Sequence, residues 1–266
     1  MAILIDKKTK GLVQGITGKE GTKAAEQMLA YGTSVLAGVT PGKGGQEVLG
    51  IPVFNSIAEA KAKFPNINST SIAVPAAFAK AAMLEAIENK IPLIHVLTEH
   101  IPIADTAYCF AKVKEAGLKL VGPSSIGIIS PGLSKVGSIG GSDPDFSYQK
   151  GKVGVISKSG GMTSEISFIL KKTGLGVSTA VGIGGDLIIG STYSDLLLLF
   201  ERDPETTSIV LFGEVGGTYE EQAAETIKNY PITKPIVAFI SGLFAETLPS
   251  GLALGHAGAI IEKGKA

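Results

Sequence analysis

The sequence has one cysteine, three histidines and no tryptophan among its 266 residues. Because Cys109 stands alone, an internal disulfide is excluded, and we expect a buried thiol in a reducing compartment. The 24 basic side chains balance 24 acidic ones, so no surface for nucleic acid is predicted. No apolar run reaches the roughly 18 residues of a membrane span, and a secretory signal is missing. These absences predict a protein of the cytoplasm or the mitochondrial matrix, with no nucleic-acid or membrane partner.

Apolar residues are abundant and follow a regular pattern. They make up 44% of the chain against 18% charged residues, and the mean hydropathy is +0.31. Short β-branched runs alternate with helical stretches, which is typical of βαβ units and parallel sheets. Residues 130–150 are rich in turns. We therefore predict an α/β protein with domains at 1–145 and 146–266, with sheets buried on both faces or a large apolar subunit interface.

The first half carries two features that suit a phosphorylated ligand. After its first strand come Gly15, Gly18 and Gly21, spaced so that a turn leads into a helix N-terminus, where phosphate binds. After the second strand lies Lys43, where NAD enzymes carry a carboxylate for the ribose. A lysine there suits the phosphate of NADP or of the adenosine end of coenzyme A. In a later predicted strand, at residues 92–97, His95 is expected to be a core histidine.

The second half places polar side chains after successive predicted strands. Ser159 follows the first of them at a strand-to-helix turn. Glu214 follows the third, and His256 lies among glycines and alanines after the fourth. If these strands are parallel, the three residues converge at one edge of the sheet. An imidazole there can carry a transferred group, or it can simply be a hydrogen-bonded histidine of a glycine-rich loop.

Six segments of the chain, taken together, resemble the α subunit of succinyl-CoA synthetase and its relatives, ATP-citrate lyase and citryl-CoA synthetase. The resemblance implies a Rossmann-like CoA-binding domain followed by a flavodoxin-like ligase domain, both with parallel sheets. The matching segments are residues 14–18, 38–45, 98–99, 181–186, 213–217 and 255–259.

The resemblance also implies the residues of the site. His256 would be phosphorylated, Glu214 would orient its ring, and the turn at Ser159 and Gly160 would hold the phosphoryl group. It implies no metal site on this chain: ATP or GTP with Mg²⁺ would bind to a separate β-type ATP-grasp subunit. The residues that it assigns to coenzyme A are Thr17, Gly18, Lys19, Glu20, Lys43, Leu97, Thr98 and Glu99.

Departures from the family pattern bear on the substrate. Gly161 and Ser164 stand where succinyl-CoA synthetases usually have a threonine and a tyrosine, which would leave room for a larger acid. The sequence thus favours citrate slightly over succinate among di- and tricarboxylates. The chain also ends at Ala266, earlier than the family pattern, so a shortened second domain is expected.

Two alternatives of other classes stay open at this point. An NADP-dependent oxidoreductase would use Lys43 but leaves Glu214 and His256 without a role. A non-catalytic CoA-binding module would use the first half alone, with the second half as an interface.

Overall fold

The first half of the chain forms a sheet with helices on its faces. The protein is described by a computed structural model, which covers residues 2–242, 256, 258 and 259. The elements of the first half are β1 (Lys10–Gln14), α1 (Lys19–Ala30), β2 (Ser34–Val39), β3 (Glu47–Val48), β4 (Ile51–Phe54), α2 (Ile57–Lys63), β5 (Ser69–Ile72), α3 (Ala76–Glu88), β6 (Leu93–Val96), α4 (Ile103–Glu115) and β7 (Lys119–Val121).

The strand order of this sheet is that of a Rossmann fold. It runs β3-β4-β2-β1-β5-β6-β7, and β4 to β7 are paired in parallel throughout. Numbered along the chain, the parallel strands follow the order 3-2-1-4-5-6, which switches direction between β1 and β5. The predicted Rossmann-like domain is confirmed, and its ligand crevice is expected at this switch.

The second half forms another sheet with its own helices. A short 3-10 helix at Pro144–Phe146 lies between its second and third strands. Its other elements are β8 (Gly127–Ser130), β9 (Ser134–Gly137), β10 (Lys150–Ser157), α5 (Gly160–Lys172), β11 (Val177–Gly182), α6 (Tyr193–Arg202), β12 (Ser208–Glu214), α7 (Tyr219–Asn229) and β13 (Ile236–Ser241).

The parallel part of the second sheet has the flavodoxin strand order. The sheet runs β13-β12-β10-β11-β8-β9, and β10 to β13 pair in parallel. In chain order this gives 2-1-3-4, with the switch between β10 and β12. The four parallel strands predicted for this half are confirmed, so their carboxyl ends share one edge.

Both sheets differ from the predicted all-parallel arrangement at one side. β3 pairs antiparallel with β4, and β8 pairs antiparallel with both β9 and β11. For β3–β4 and β8–β9 the reason is connection length, because a hairpin of two or three residues cannot cross over to a parallel position. Leu49 and Gly50, which join β3 to β4, both have positive φ angles, as a tight hairpin turn requires.

The chain changes sheet before the turn-rich segment. β7 is the last strand of the first sheet, while β8 and β9 already belong to the second. The change therefore lies between residues 121 and 127, earlier than the domain boundary that we predicted near residue 145. Glycines and prolines around these two short strands give them the composition of a linker, which is why the pattern did not reveal them.

His95 and Cys109 are core residues, as predicted. Both are fully buried. The Nε2–H of His95 donates to the carbonyl of Ser125 at 3.0 Å, so Nδ1 accepts from the hydroxyl of Ser71 at 3.0 Å. Burial lowers the pKa of His95 to about 4 and raises the pKa of the Cys109 thiol to about 11. Neither group has the reactivity of a nucleophile at neutral pH.

The buried neutral His95 makes stability depend on pH. Its pKa is lower in the folded chain than the ordinary value of 6.5, so the unfolded chain binds the proton first as pH falls. Between pH 6.5 and 4 the free energy of unfolding should fall by about 3 kcal/mol through this residue. Urea denaturation at several pH values should show this slope in the wild type and a shallower one in His95→Gln. Equal slopes would contradict the neutral buried state.

Candidate functional site

The carboxyl edge of the second sheet brings three strand ends together. The register pairs Ser157 at the end of β10 with Gly182 of β11 and Phe212 of β12. Ser159 then caps α5, where its hydroxyl accepts from the backbone N–H of Met162 at 3.4 Å. Free N–H groups of the first turn of α5 therefore lie at the same edge as Glu214, the last residue of β12.

His256 and Glu214 are in direct contact. Nδ1 of the imidazole lies 2.7 Å from Oε2 of the carboxylate, although the residues are 42 positions apart. The side chains are 27% and 15% exposed. An ionised carboxylate only accepts hydrogen bonds, so Nδ1 carries the proton and Nε2 keeps its lone pair. The contact thus fixes the tautomer that a nucleophilic Nε2 needs.

A glycine of the β11 loop makes room for this imidazole. A Cβ on Gly185 would lie 2.3 Å from Cγ of His256, which no side chain could tolerate. The backbone N–H of Gly258 donates to the carbonyl of Gly185 at 2.8 Å. The ring therefore packs directly against the β11 loop, and its position depends on two separate strand ends.

Charges from both halves of the chain act on the histidine. The hydrogen bond that Nδ1 of His256 donates to Glu214 raises the pKa of His256 above its usual value, against the opposing effect of burial, and Glu99 and Asp186 add to the rise. Burial raises the pKa of Asp186, and the charge of Glu99 raises it further. Glu99, from the first half of the chain, is thus within electrostatic reach of the site. Sequence reasoning placed Asp186 in a matching segment but gave it no role.

The residues predicted to contact phosphate and substrate do not all lie at the site edge. Gly160 and Gly161 open α5 at the site edge, and Gly161 is exposed with space for a Cβ among the described residues. Ser164 is one turn further on, and its hydroxyl lies 2.9 Å from that of Tyr148, which is 2% exposed. The room inferred beside Ser164 is therefore partly taken by Tyr148. Nothing in the residue pattern pointed to this contact.

Replacing Ser164 by tyrosine is expected to destabilise the second domain. The new ring would compete with the buried ring of Tyr148, and overpacking of this kind costs about 1–3 kcal/mol. The matched control is Glu165→Tyr, because Glu165 is exposed on the same helix and surface changes stay within about 0.5 kcal/mol. Denaturant midpoints measure both. Equal stability of the two variants would mean that the space beside Ser164 is empty.

The turn after β1 packs tightly under the first helix. Gly15 has a φ of 82°, and a Cβ there would lie 2.5 Å from the carbonyl oxygen of Ala73. A Cβ on Gly21 would lie 2.1 Å from the carbonyl oxygen of Gly15. The glycine spacing thus lets α1 begin against the strand ends, with its N-terminus at the sheet's switch point.

Two adjoining cavities lie at this switch point, with volumes of about 600 and 670 Å³. They share Gly18, Ala73, Val74 and Pro75. The first is lined mainly by apolar side chains from the end of β2, the segment after β5 and helix α3, together with Thr17. Of the residues predicted to contact coenzyme A, those that line the second cavity are Gly18, Lys19, Glu20, Leu97, Thr98 and Glu99.

The first cavity ends on a polar pair that the sequence did not point to. Glu85 accepts from the backbone N–H of Ile57 at 2.6 Å and lies 3.4 Å from Nε2 of Gln14. Burial raises the pKa of the Glu85 carboxyl. Gln14 is 2% exposed and also donates to the carbonyl of Ala82. An apolar cavity with a few fixed polar groups suits the pantetheine arm or adenine ring of coenzyme A.

Lys43 is the predicted ligand residue that lines neither cavity. It is exposed in the loop after β2. Asn55 holds this loop, because its side-chain oxygen accepts from the N–H groups of Gly42 and Gly44, each at 3.0 Å. Asn55 itself lines the first cavity. Lys43 therefore lies beside the cavity mouth rather than within it.

The described part of the chain shows neither a cluster of metal ligands nor a membrane-spanning helix. Within it, no group of three or more His, Cys, Asp or Glu side chains is arranged to hold a metal ion. Each of its helices is also too short or too polar to span a bilayer.

Comparison with protein families finds one match in each half of the chain. Residues 6–100 match the family described as CoA binding domain, and residues 156–266 match the family described as CoA-ligase. Two curated relatives are similar over the whole chain. Succinate–CoA ligase [ADP-forming] subunit alpha 2 of Archaeoglobus fulgidus is 49% identical over 99% of this chain and 88% of its own length. Succinate–CoA ligase [ADP-forming] subunit alpha of Aquifex aeolicus is 49% identical over 100% and 85%.

The chain is also similar to solved structures of enzymes named for coenzyme A or citrate. ATP citrate lyase from Methanothrix soehngenii, in complex with citrate and coenzyme A, superposes with a TM-score of 0.91 at 28% identity. It covers 99% of this chain, and this chain spans 45% of that one. A dinucleotide-forming acetyl-coenzyme A synthetase of Ca. Korarchaeum cryptofilum shares the fold at 18% identity, with a TM-score of 0.71 over 89% and 50% of the two chains.

Proposed function

Because this chain belongs to the family of succinate–CoA ligase α subunits, we propose that it is the α-type subunit of an acid–thiol ligase that works through a phosphohistidine at His256. The resemblance predicted from the six sequence segments is thereby confirmed, and the oxidoreductase alternative is set aside. The observation that carries the proposal is the 2.7 Å contact between Nδ1 of His256 and Oε2 of Glu214. It leaves Nε2 as the nitrogen that can attack phosphorus.

His256 takes the phosphoryl group first. Its Nε2 lone pair attacks the γ-phosphorus of a nucleoside triphosphate, and the nucleoside diphosphate leaves. Glu214 accepts the Nδ1 proton in a hydrogen bond throughout, so its negative charge offsets the positive charge that the ring gains. This role needs a carboxylate at hydrogen-bond distance from Nδ1, which the 2.7 Å contact supplies.

The N-terminus of α5 stabilises the transferred group. Ser159, Gly160 and Gly161 lie where the free N–H groups and the positive end of the helix dipole face the strand edge. Glycine at positions 160 and 161 leaves these N–H groups accessible to an anion. The phosphoryl group on His256 therefore has a place where its charge is balanced without a metal ion on this chain.

The phosphoryl group then passes to the acid. A carboxylate oxygen of the substrate attacks phosphorus and gives an acyl phosphate, while His256 returns to its neutral form. The thiol of coenzyme A displaces phosphate from the acyl carbon and forms the thioester. The adjoining cavities of the first domain suit coenzyme A, because they combine apolar walls, a helix N-terminus and a rim at Glu99, whose charge acts on His256.

Succinate is the favoured acid. The full-length relatives at about half identity are named for succinate, whereas the citrate-named structure is 28% identical. The size argument from Ser164 that pointed to citrate is weakened, because Tyr148 occupies space beside that serine. The preference for citrate is therefore replaced by one for succinate, with citrate as the competitor in the test.

The nucleotide and the second subunit follow from the same relatives. Their names specify ADP formation and a subunit called alpha, which supports ATP as the phosphoryl donor and a β-type partner that binds ATP with Mg²⁺. We therefore expect this chain by itself to bind coenzyme A but not to be phosphorylated.

Intact mass spectrometry tests this function. The chain is combined with a β-type partner, ATP and Mg²⁺, and the mass is recorded before and after coenzyme A is added with succinate or with citrate. One acid-labile phosphoryl group that succinate discharges is expected. Discharge by citrate alone would assign the other acid.

The binding-module alternative predicts a different outcome of the same experiment. If the partner binds nucleotide and the chain stays unphosphorylated while it still binds coenzyme A, the ligase proposal is wrong. The chain would then be a CoA-binding component whose second domain serves as an interface.

A further inference from the structure

An ion pair lies directly behind the carboxylate that contacts His256. Nζ of Lys158, just after β10, is 2.7 Å from Oε1 of Glu220 on α7. The two side chains are only 7% and 14% exposed. The same Oε1 accepts a hydrogen bond from the backbone N–H of Glu214 at 3.1 Å. One carboxylate thus connects a buried cation to the backbone of the residue that holds His256.

The surroundings leave little freedom for this arrangement. A Cβ on Gly213 would lie 2.7 Å from Oε1 of Glu220, so the absence of a side chain there lets the carboxylate reach the strand end. Nζ of Lys158 also donates to the carbonyl of Gly216 at 3.3 Å and lies 5.6 Å from the ring centroid of Tyr219. The ammonium group of Lys158 therefore contacts the turn between β12 and α7 as well as Glu220.

The pair also sets the charge balance near the histidine. Glu214, Glu99 and Asp186 all act on His256, and Glu220 adds another carboxylate beside Glu214. Lys158 neutralises that fourth charge at close range. Without it, Glu220 would lie partly buried and unpaired next to Glu214, where like charges repel and a carboxylate is costly to desolvate.

We propose that Lys158 and Glu220 are positioning residues that hold the end of β12 so that the Glu214 carboxylate stays on Nδ1 of His256. The proposal rests on the ligase function proposed above. The charged anchor restrains the Glu214 backbone, and a short side chain transmits that restraint to its carboxylate. A shift of about 1 Å there would break the contact that fixes the tautomer and leaves the Nε2 lone pair free. Lys158 and Glu220 act through Glu214 and do not themselves contact the reacting atoms.

The test removes the anchor without changing net charge. In Lys158→Met/Glu220→Leu the pair becomes apolar at similar volume, which folded proteins often tolerate, and the Glu214 N–H loses its acceptor. The matched control is Lys112→Met/Glu115→Leu, which removes a more exposed pair, also at 2.7 Å, on α4. Nitrogen NMR of labelled histidine reports the tautomer of His256 in the full chain, above the pH at which the ring deprotonates.

The double variant is expected to show an Nε2–H tautomer of His256 that the wild type and the control lack. With the β-type partner and ATP, its phosphorylation in a single turnover should be slower by about tenfold, as expected when a catalytic group loses its alignment. An unchanged tautomer and rate, even with a lower melting temperature, would overturn the proposal and leave the pair a purely structural role.

Two milder variants decide the matter if the double variant does not fold. Lys158→Arg keeps the charge and should keep the Nδ1–H tautomer, whereas Glu220→Gln weakens the anchor and should admit the Nε2–H form. Identical spectra for the two would overturn the proposal. The tautomer is read without nucleotide, so a wild type that is never phosphorylated would defeat the ligase proposal and leave this result standing.

Discussion

Replacing His256 by asparagine is expected to abolish phosphorylation of the chain and to lower ligase turnover by at least about a thousandfold. An amide nitrogen has no lone pair that can attack phosphorus, but its N–H can still donate to Glu214. The variant should therefore keep its fold, which a thermal melt verifies. Intact mass of the complex with the β-type partner, ATP and Mg²⁺ gives the phosphorylation result directly. A phosphoryl group of unchanged amount in His256→Asn would place the acceptor elsewhere.

Replacing Glu214 by glutamine separates orientation from nucleophilicity. Glutamine can donate to Nδ1 as well as accept from it, so the tautomer is no longer fixed, and phosphorylation should slow by about a hundredfold. The charge also sets the pH dependence. Glu214 raises the pKa of His256, and only the neutral ring attacks, so the wild-type rate falls as pH drops through that raised pKa. In Glu214→Gln this acidic limb should move to lower pH. A limb that does not move would mean that Glu214 does not control the charge of His256.

Filling the first cavity should abolish binding of coenzyme A. Ala81 is exposed and lines the cavity of about 600 Å³, so Ala81→Trp would project an indole into it without disturbing the core. Steric exclusion should weaken binding by at least about a hundredfold, equivalent to about 2.7 kcal/mol. Titration calorimetry with coenzyme A measures this on the chain alone.

The same helix offers a matched control for the cavity variant. Ala77 is exposed on α3 and lines neither cavity, so Ala77→Trp should bind coenzyme A as the wild type does. If both variants bind equally well, the cavity is not the coenzyme A site. If Ala81→Trp loses coenzyme A binding while His256 is still phosphorylated, the two domains carry separable steps of one reaction.

Local sequence patterns determined most of the architecture. Alternating apolar runs and helical stretches predicted two α/β halves, and strand β2 and the end of α5 fall where the pattern placed them. Glycines after strand ends predicted the turns, because backbone contacts at those positions exclude any side chain. Periodicity depends only on residues that are close in the chain, so it can be recognised from the sequence alone.

Short hairpin strands escaped the same reasoning. β8 and β9 have four residues each and a glycine- and proline-rich setting, so the pattern read them as a linker. Their place in the second sheet is decided by the pairing of β8 with β11, about fifty residues later in the chain, and β9 joins the sheet through β8. Burial of their aliphatic side chains against that sheet outweighs the weak local preference.

The chemistry of the site was only partly readable from the sequence. The resemblance to a known family pointed to His256 and Glu214 as partners, but their 2.7 Å contact depends on the end of β12 and on the β11 loop, where Gly185 leaves room for the imidazole. No sequence pattern indicated the Tyr148–Ser164 contact or the Lys158–Glu220 anchor, which join residues 16 and 62 positions apart. Composition and spacing predicted the fold class, and the resemblance to a known family added most of the candidate residues. Only the tertiary structure decided which polar side chains meet, because hydrogen bonds and ion pairs require distances of a few ångströms between segments that the linear order leaves unrelated.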